Sequence, residues 1–487
     1  MANASATGAG VYDRIGKWAI GICAAAGLAL GGCASRPINE PLAQVDPGGG
    51  YRPSVLVTQR EHNERSTLFI LSFSGGGTRA AALSYGVLEE LRRTQITVDG
   101  QARRLIDEVD IITGVSGGSF TALSYALYGD RLFSEYEQRF LKRNVQSALL
   151  WRAFNPFNWF RLMSGNYGRS ELAAEYYDEI LFNGATFADL IKSPGPVAVA
   201  TGTDMSIGTR FAFYQNDFDL ICSDLNTVSV SRAAATSSAV PVVLSPVTLN
   251  NYGGSCGYEY PAWVQDIVAI DPRKRPAGRA LERYKYMQAL QDSRNRPYLH
   301  LVDGGVSDNI GVRGVLDTLE EAFISQDFAT ERGFGAVDKI IIIEVNARSE
   351  DTNDCEKKES PPGLFTQLLE SSGVPIERYS FETVELMKDR AAAASGRREL
   401  LVARAQLAGM SREEAEASIP DIDAFVFEVS FDHIPEPERR RRFMDLPTSF
   451  ALPEQDVDEL REVAGELIRQ SPTFQELLQS YGGSGGD

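Results

Sequence analysis

Hydrophobic residues in the middle of the chain form short unbroken runs that alternate with helical patterns. The first run, Thr67–Phe73, has the length and composition of a buried strand, and the stretch Arg79–Arg93 has helical spacing. Further strands are predicted at Val109–Thr113, Val197–Thr201, Arg210–Tyr214, Tyr298–Val302 and Lys339–Val345, and further helices at Ser119–Tyr128 and Val312–Phe323. This alternation predicts an α/β fold, a three-layer α/β/α sandwich with a mostly parallel central sheet.

Beyond residue 350 the pattern changes to charged helical stretches. Helices are predicted at Phe381–Arg390, Gly396–Leu407 and Gln455–Gln470. One strand-like run, Ala424–Phe431, lies among them. We therefore expect residues 351–487 to form a helix-rich extension that packs on the core.

The overall charge restricts the partners of the protein. The 487 residues carry a formal net charge of -18, and 43% of them are hydrophobic. Such a chain can bury a large core, but its charge argues against a nucleic-acid partner. The charge also repels anionic lipid, so membrane contact requires apolar groups or an anchor.

The N-terminus contains a candidate anchor. Two basic residues, Arg14 and Lys17, precede the apolar run Trp18–Leu30, whose length suits a signal-peptide core better than a membrane span. The run ends in Leu-Gly-Gly-Cys, which resembles a bacterial lipobox. The resemblance implies a signal peptide over residues 1–32 and diacylation of Cys33.

The residue after the lipobox cysteine bears on localisation. Ala34, where aspartate would signal retention, resembles an outer-membrane sorting signal and implies a periplasm-facing or surface-exposed bacterial lipoprotein. An ordinary signal peptide with an incidental cysteine, or an uncleaved signal anchor, is the alternative. Residues 33–62 are rich in proline, glycine and polar residues and are predicted to be a tether before a catalytic domain at 63–350.

Three cysteines remain after such processing: Cys222, Cys256 and Cys355. Cys222 and Cys256 flank a loop-rich region and are a candidate disulfide in an oxidising compartment. Three free thiols are the alternative.

A glycine-bracketed serine is the strongest chemical signal in the chain. The motif Gly-Val-Ser-Gly-Gly at 114–118 follows a predicted strand and precedes a predicted helix. This is the layout of a nucleophile elbow, in which a sharp turn exposes the hydroxyl of Ser116.

A second glycine cluster, Ser-Gly-Gly-Gly-Thr-Arg at 74–79, lies between the first predicted strand and helix. Backbone N–H groups at such a helix start can bind a phosphate or an oxyanion. The spacing fits neither the phosphate-loop nor the dinucleotide pattern, so it favours an oxyanion hole for acyl transfer.

An acidic residue follows the predicted strand Tyr298–Val302. Asp303, with Gly304 and Gly305 after it, can face the same crevice as Ser116, although aspartate is also common in simple turns.

The three histidines are poorly placed to be the base. His62 falls in the expected tether, strand alternation puts His300 on the face opposite Asp303, and His433 lies in the extension. This scarcity favours a serine–aspartate dyad whose carboxylate is made more basic by partial burial.

These three motifs, in this order, resemble the patatin-like phospholipases. Two softer blocks match as well, Ala200–Asp204 and Ala239–Pro241 followed by Ser245–Val247. The resemblance covers about residues 66–346. Ser74 stands where the family pattern has aspartate, a change that affects how the turn is held.

The resemblance implies a lipid acyl hydrolase of the phospholipase A or lysophospholipase type. Ser116 would be the nucleophile, Asp303 the general base, and the amides of Gly75, Gly76 and Gly77 the oxyanion hole. Arg79 would support the turn or face a phosphate. The reaction would pass through an acyl-enzyme on a phospholipid or another acyl ester, with no metal and no cofactor.

Three alternatives remain open. The same site could transfer the acyl group to an acceptor other than water, or the chain could be a catalytically silent membrane-tethered scaffold. An α/β-hydrolase would need His433 as its base.

One apolar segment has two interpretations. It contains Leu149, Leu150, Trp151, Phe154, Phe157, Trp159, Phe160 and Leu162. The segment is either a membrane-facing lip beside the site or ordinary core, and core is favoured on general grounds.

Overall fold

The computed structural model describes residues 35–59, 66–98, 100–274, 278–324, 337–349, 359–419 and 422–482. The predicted signal peptide, Cys33, His62 and Cys355 lie outside these residues. Within the described ranges, no helix is long and apolar enough to span a bilayer.

Ten strands are described. They are β1 (Thr67–Phe73), β2 (Gln95–Val98), β3 (Gln101–Arg104), β4 (Ile111–Gly114), β5 (Val197–Asp204), β6 (Thr209–Ala212), β7 (Val247–Asn250), β8 (Tyr298–Asp303), β9 (Lys339–Asn346) and β10 (Asp423–Ser430). Strands β2 and β3 form a separate hairpin, and the other eight form the central sheet.

The central sheet has the order β10-β9-β1-β4-β5-β8-β7, with β6 paired to β5. Strands β10, β9, β1, β4 and β5 are parallel to their neighbours, while β6, β7 and β8 pair antiparallel. The prediction of a mostly parallel sheet is confirmed. Its antiparallel side arises because the second half of β5, beyond Ala200, pairs with β6 and β8.

The helices cover both faces of this sheet. They are α1 (Pro53–Gln59), α2 (Gly77–Arg93), α3 (Gly117–Tyr128), α4 (Leu132–Tyr136), α5 (Val145–Phe154), α6 (Pro156–Leu162), α7 (Arg169–Tyr177), α8 (Phe187–Ile191), α9 (Gln215–Leu220), α10 (Val230–Ser237), α11 (Ala262–Ala269), α12 (Arg279–Gln291), α13 (Gly305–Asp308), α14 (Arg313–Ile324), α15 (Leu364–Leu407), α16 (Arg412–Ser418), α17 (Pro437–Met444), α18 (Glu454–Gln470) and α19 (Pro472–Ser480). Short 3-10 turns lie at Leu105–Glu108, Gly129–Arg131, Leu225–Thr227 and Phe431–His433, and π turns at Glu137–Leu141 and Asp178–Phe182.

Two apolar layers result from this arrangement. The larger core joins one face of the sheet to helices that include α2, α3 and α18. A smaller cluster on the other face joins Ile70 and Ile342 to Val312 and to Val384 and Met387 of α15. Helices on both faces of a buried sheet make the three-layer α/β/α sandwich that the sequence predicts.

Residues 35–59 differ from the expected free tether. The amide of Leu42 donates to Cys222 O at 2.7 Å, and Tyr51 is buried with its hydroxyl bonded to the Ala198 carbonyl at 3.0 Å. Arg52 forms a buried ion pair with Asp219 at 2.7 Å. This part of the segment packs because it brings an aromatic ring and a paired charge to the body, which composition alone does not reveal.

The C-terminal extension is part of the same body. Strand β10 forms the edge of the central sheet beside β9, and α18 packs against α2, where Arg461 pairs with Glu89 at 2.8 Å. The two helices predicted between 381 and 407 are one helix, α15, which continues through Pro375. The expected boundary at residue 350 therefore falls between two neighbouring strands of one sheet.

A disulfide joins Cys222 to Cys256, with 5.5 Å between their Cα atoms. Both cysteines are buried, and the N-terminal segment crosses beside them, since the Val45 amide donates to Cys256 O at 3.1 Å. Of the two sequence-based alternatives, the structure has the paired form for these two cysteines.

Candidate active site

The two glycine motifs meet because their strands are neighbours. Strands β1 and β4 run parallel, and Phe73 lies opposite Gly114. Each strand is followed at once by its motif and then by a helix. The Val115 amide donates to Phe73 O at 3.0 Å and fixes the two turns side by side.

Ser116 occupies a strained turn. Its φ of 46° and ψ of -119° are unusual for a residue with a side chain, and it stands immediately before α3. The geometry is that of a nucleophile elbow, which presents the hydroxyl beyond the strand end. Its amide is held by the hydroxyl of Ser237 at 2.9 Å.

Asp303 reaches Ser116 from the antiparallel side of the sheet. Strand β8 pairs with the second half of β5, so that Asp303 lies opposite Gly202. The Ser116 hydroxyl interacts with the Asp303 carboxylate and favours its charged form, and the Gly305 amide donates to its Oδ1 at 2.8 Å. The structure therefore brings the predicted nucleophile and base to the same cavity.

The environment of Asp303 changes its acidity. Burial raises the pKa of its carboxyl from 3.8 to about 7, and the hydrogen bonds from Gly305 and Ser116 only partly oppose this rise. A base with a pKa near neutrality is well suited to accept and return a proton at neutral pH.

The end of α10 and the residue Ala239 after it hold both Ser116 and Asp303. The Asp303 amide donates to Ala239 O at 2.9 Å, and the Gly304 amide donates to Ser237 O at 3.2 Å. Ser237 also binds the Ser116 amide through its hydroxyl. The sequence analysis missed Ser237, although the block that begins at Ala239 was a signal for this region.

The glycine turn contributes fewer free donors than predicted. The Gly75 amide donates to Asn309 O at 2.9 Å, so this N–H is already engaged. The amides of Gly76 and Gly77 have no hydrogen-bond partner within the described residues. Gly76 lines the cavity in front of Ser116, whereas Gly77 lies beneath Ser449.

Close packing makes glycine necessary at Gly77 and Gly117. Gly77 has a φ of 61°, and a Cβ there would overlap the backbone of Ser449. A Cβ at Gly117 would overlap the carbonyl of Gly77. The two motifs are therefore in backbone contact, which places the glycine amides beside the elbow.

Ser74 holds the turn where the family pattern has aspartate. Its side chain is buried, and its Oγ accepts the amide of Ala347 at 2.9 Å. The Ser74 amide donates to Val345 O at 3.0 Å. The serine thus fixes the start of the glycine turn to the end of β9.

Arg79 supports the turn. It is 2% exposed, and its guanidinium donates to the Ala347 carbonyl at 3.0 Å, the Thr448 hydroxyl at 3.0 Å and the Leu446 carbonyl. These contacts tie the start of α2 to the C-terminal extension. Of the two roles predicted for Arg79, the geometry favours support over recognition of a phosphate.

Ser116 and Asp303 face a cavity of about 510 Å³. Val240, Pro241 and Val306 add apolar wall beside the dyad, and the first half of α15 closes the opposite side. This volume lies within the usual range for a small-molecule site.

The histidines do not enter the dyad. His433 is exposed and lines the same cavity, but none of the described hydrogen bonds joins it to Ser116 or Asp303. His300 is also exposed, and its Nδ1 lies 3.0 Å from the Thr248 hydroxyl. Within the described residues, no group of three or more histidine, cysteine or acidic side chains could hold a metal.

The apolar segment at 149–162 is not core. It forms α5 and α6, which meet at Asn155-Pro156. Its large exposed side chains, with the neighbouring methionine, are Leu150, Trp151, Phe154, Phe157, Trp159, Phe160 and Met163. The core interpretation was wrong because hydrophobicity along the chain does not report whether a helix is covered by other elements.

A comparison with known protein families agrees with the resemblance drawn from the sequence motifs. A family model for patatin-like phospholipase matches residues 71–316. A search among curated proteins finds no match.

Solved structures were compared as well. Human GIVD cytosolic phospholipase A2 aligns at 12% identity and a TM-score of 0.40, over 88% of this chain and 62% of its own. The complex of the human enzyme with methyl gamma-linolenyl fluorophosphonate aligns at 10% identity and a TM-score of 0.37, over 94% of this chain and 63% of its own. VipD from Legionella pneumophila aligns at 10% identity and a TM-score of 0.24, over 88% of this chain and 71% of its own.

The chain thus spans less than two thirds of the human enzyme's length. The family model includes the glycine turn, the elbow and Asp303, and it covers just over half of the 487 residues. The resemblance drawn from the motifs is confirmed, and the chain belongs to the patatin-like phospholipase family.

Proposed function

We propose that the protein hydrolyses acyl esters of phospholipids through a Ser116–Asp303 dyad. The observation that carries the proposal is a strained elbow serine that lines one cavity together with a buried carboxylate, whose pKa is raised to about 7. A nucleophile in contact with a suitable base is the arrangement that acyl transfer requires.

The first half of the reaction forms an acyl-enzyme. As the Ser116 Oγ attacks the ester carbonyl carbon, its proton passes to the Asp303 carboxylate. The amides of Gly76 and Gly77, which make no hydrogen bond among the described residues, are the donors available to stabilise the developing oxyanion. When the C–O ester bond breaks, the proton on Asp303 goes to the leaving alcohol.

The second half regenerates the enzyme. Water enters the cavity and gives a proton to Asp303, and the resulting hydroxide attacks the acyl carbonyl carbon. Breaking the bond to Oγ releases a fatty acid, and Ser116 recovers its proton from Asp303. An acceptor alcohol in place of water would give acyl transfer, which product analysis distinguishes.

The exposed helices α5 and α6 suit a lipid-bound substrate. Two further exposed apolar residues, Val242 and Val243, follow the cavity-lining Pro241. Arg169 at the start of α7 donates to the Val242 carbonyl at 3.0 Å and links the two surfaces. We infer that this face rests on the lipid surface and admits the ester into the cavity.

Active-site labelling tests the proposed chemistry. The wild-type protein is treated with a fluorophosphonate probe beside Ser116→Ala, Asp303→Asn and Ser134→Ala, whose serine is exposed and distant in the fold. We expect labelling and fatty-acid release from phospholipid vesicles for wild type and Ser134→Ala only. Equal labelling of Ser116→Ala would refute the nucleophile, and a protein that never labels would favour the scaffold.

A further inference from the structure

A second cavity lies on the other side of Asp303. Its volume is about 760 Å³, and it separates the sheet from α11, α12 and α14. The two cavities share no lining residue. They are close neighbours, because Thr201 of the second cavity packs on Gly304, where a Cβ would lie 2.7 Å from the Thr201 hydroxyl oxygen.

Apolar strand residues form the long wall of this second cavity. Leu68 and Ile70 of β1, Ile111 of β4 and Val199 of β5 line it in turn across the sheet. Helix residues, including Met287 and Val315, face them. A slot of this size between apolar walls can accommodate an alkyl chain.

Several polar atoms on the walls have no partner. They are Thr201 Oγ1, Arg210 Nε, Asn216 Oδ1 and Trp263 Nε1. Thr201 and Trp263 are each 1% exposed, and buried polar groups in folded proteins are normally hydrogen-bonded. Three of these four atoms can donate, whereas Asn216 Oδ1 only accepts, so the complementary ligand group is mainly a hydrogen-bond acceptor.

The charges on the walls leave one cation without an ion pair. Arg52 pairs with Asp219 at 2.7 Å, and Arg283 pairs with Asp217. The Arg210 side chain makes no ion pair or hydrogen bond within the part of the chain that the structure describes. The acidic groups that act on it only through space are Tyr214, Asp217, Asp308 and Asp317. Arg210 is therefore the cation that remains to bind an anion.

We propose that the second cavity binds a long-chain carboxylate. The guanidinium of Arg210 receives the carboxylate, Thr201 and Trp263 supply further donors, and the alkyl chain lies along the sheet. A fatty acid is also what the proposed hydrolysis releases, but the binding site does not depend on that activity.

The binding experiment first blocks the active-site cavity. Protein labelled at Ser116 with a fluorophosphonate is titrated with hexadecanoate by calorimetry, and one molecule is expected to bind per chain. Arg210→Met should weaken binding about ten- to a hundredfold, the effect of losing a charge-assisted hydrogen bond. Arg273→Met is the matched control, because that arginine side chain is 88% exposed on the surface, and it should bind normally.

A second variant should change the affinity for hexadecanoate in the opposite direction. Asp317→Asn removes one of the acidic groups that act on Arg210 and should tighten binding of hexadecanoate. Wild-type protein should bind hexadecan-1-ol more weakly than hexadecanoate. The Arg210→Met variant should bind the alcohol and the acid with equal affinity. Val315→Trp fills the cavity with Arg210 intact and should abolish binding, which keeps the test decisive if Arg210→Met does not fold.

The result that overturns the proposal is equally specific. The cavity holds water only if labelled protein binds no hexadecanoate. The same conclusion follows if the Arg210→Met and Asp317→Asn variants bind hexadecanoate with the affinity of the wild type. If Ser116 does not label, the proposed hydrolase fails separately. The titration then uses unlabelled protein, where only binding that depends on Arg210 and Asp317 supports the second site.

Discussion

Replacing Asp303 by asparagine should make the protein inactive and, at neutral pH, more stable. The carboxyl is 6% exposed, and burial raises its pKa from 3.8 to about 7. The folded protein therefore holds a charged carboxylate at an energetic cost whenever the pH exceeds 7. Asparagine has nearly the same shape and carries no charge.

The size of the effect follows from the pKa. A rise of about three units corresponds to about 4 kcal/mol at about 1.4 kcal/mol per unit, an order-of-magnitude value. Between the unfolded pKa near 3.8 and the folded pKa near 7, the folded chain binds more protons than the unfolded chain. The free energy of unfolding of the wild type thus falls as the pH rises through this window and does not recover above it.

The assay compares unfolding of wild type and Asp303→Asn by urea from pH 4 to pH 9. The stability difference should be close to zero near pH 4 and should reach about 4 kcal/mol in favour of asparagine above pH 7. Asp308, whose pKa burial raises to about 6, adds to the pH dependence of both proteins and cancels in the difference.

Activity supplies the second half of the test. Wild-type ester hydrolysis should rise with pH and reach half its maximum near pH 7, because only the ionised carboxylate accepts the Ser116 proton. A stability difference that does not change with pH would refute the burial argument. An active Asp303→Asn enzyme would refute the role of Asp303 as base.

Three further predictions concern the turn and the lipid-facing helices. Gly77→Ala should reduce turnover at least a hundredfold, because its Cβ would overlap the backbone of Ser449. The control Gly100→Ala, at a φ of 75° in open space, should lose only about 1–2 kcal/mol of stability and no activity. Steady-state kinetics and thermal unfolding of both variants check this. Arg79→Met should lower kcat more than it raises KM, since the side chain holds the oxyanion turn rather than the substrate, and steady-state kinetics measure the split. Phe157→Asp should weaken binding to neutral vesicles at least tenfold and leave hydrolysis of a soluble short-chain ester unchanged, because the ring is 83% exposed and does not line the active-site cavity; sedimentation and esterase assays would show both effects.

The elements that position the site follow from local patterns. The predicted strand Thr67–Phe73 is observed with the same bounds, and the predicted helix Arg79–Arg93 begins only two residues earlier. Both are continuous in sequence and buried, so hydrophobic periodicity identifies them. The glycine turn and the elbow then follow from where these elements end.

The parts that sequence could not supply depend on contacts between distant residues. The engaged amide of Gly75 depends on Asn309, which lies more than two hundred residues away. The support of Ser116 by Ser237 depends on how α10 ends against β8. The exposure of α5 and α6 depends on which elements fail to cover them, and periodicity within a segment carries no information on this.

The C-terminal extension has a consequence for the size of the catalytic unit. The family model ends at residue 316, yet the glycine turn is held from outside that range: the Thr78 amide donates to Ser449 O at 2.8 Å, and Arg79 binds Ala347 and Thr448. Strands β9 and β10 also complete the sheet on the side of β1. A fragment that ends near residue 316 would lack the residues that hold the guanidinium of Arg79 and would expose the edge of β1. Because an open strand edge is strongly unfavourable and Arg79 would lose its partners, the residues matched by the family model require the extension to hold the geometry of the proposed site.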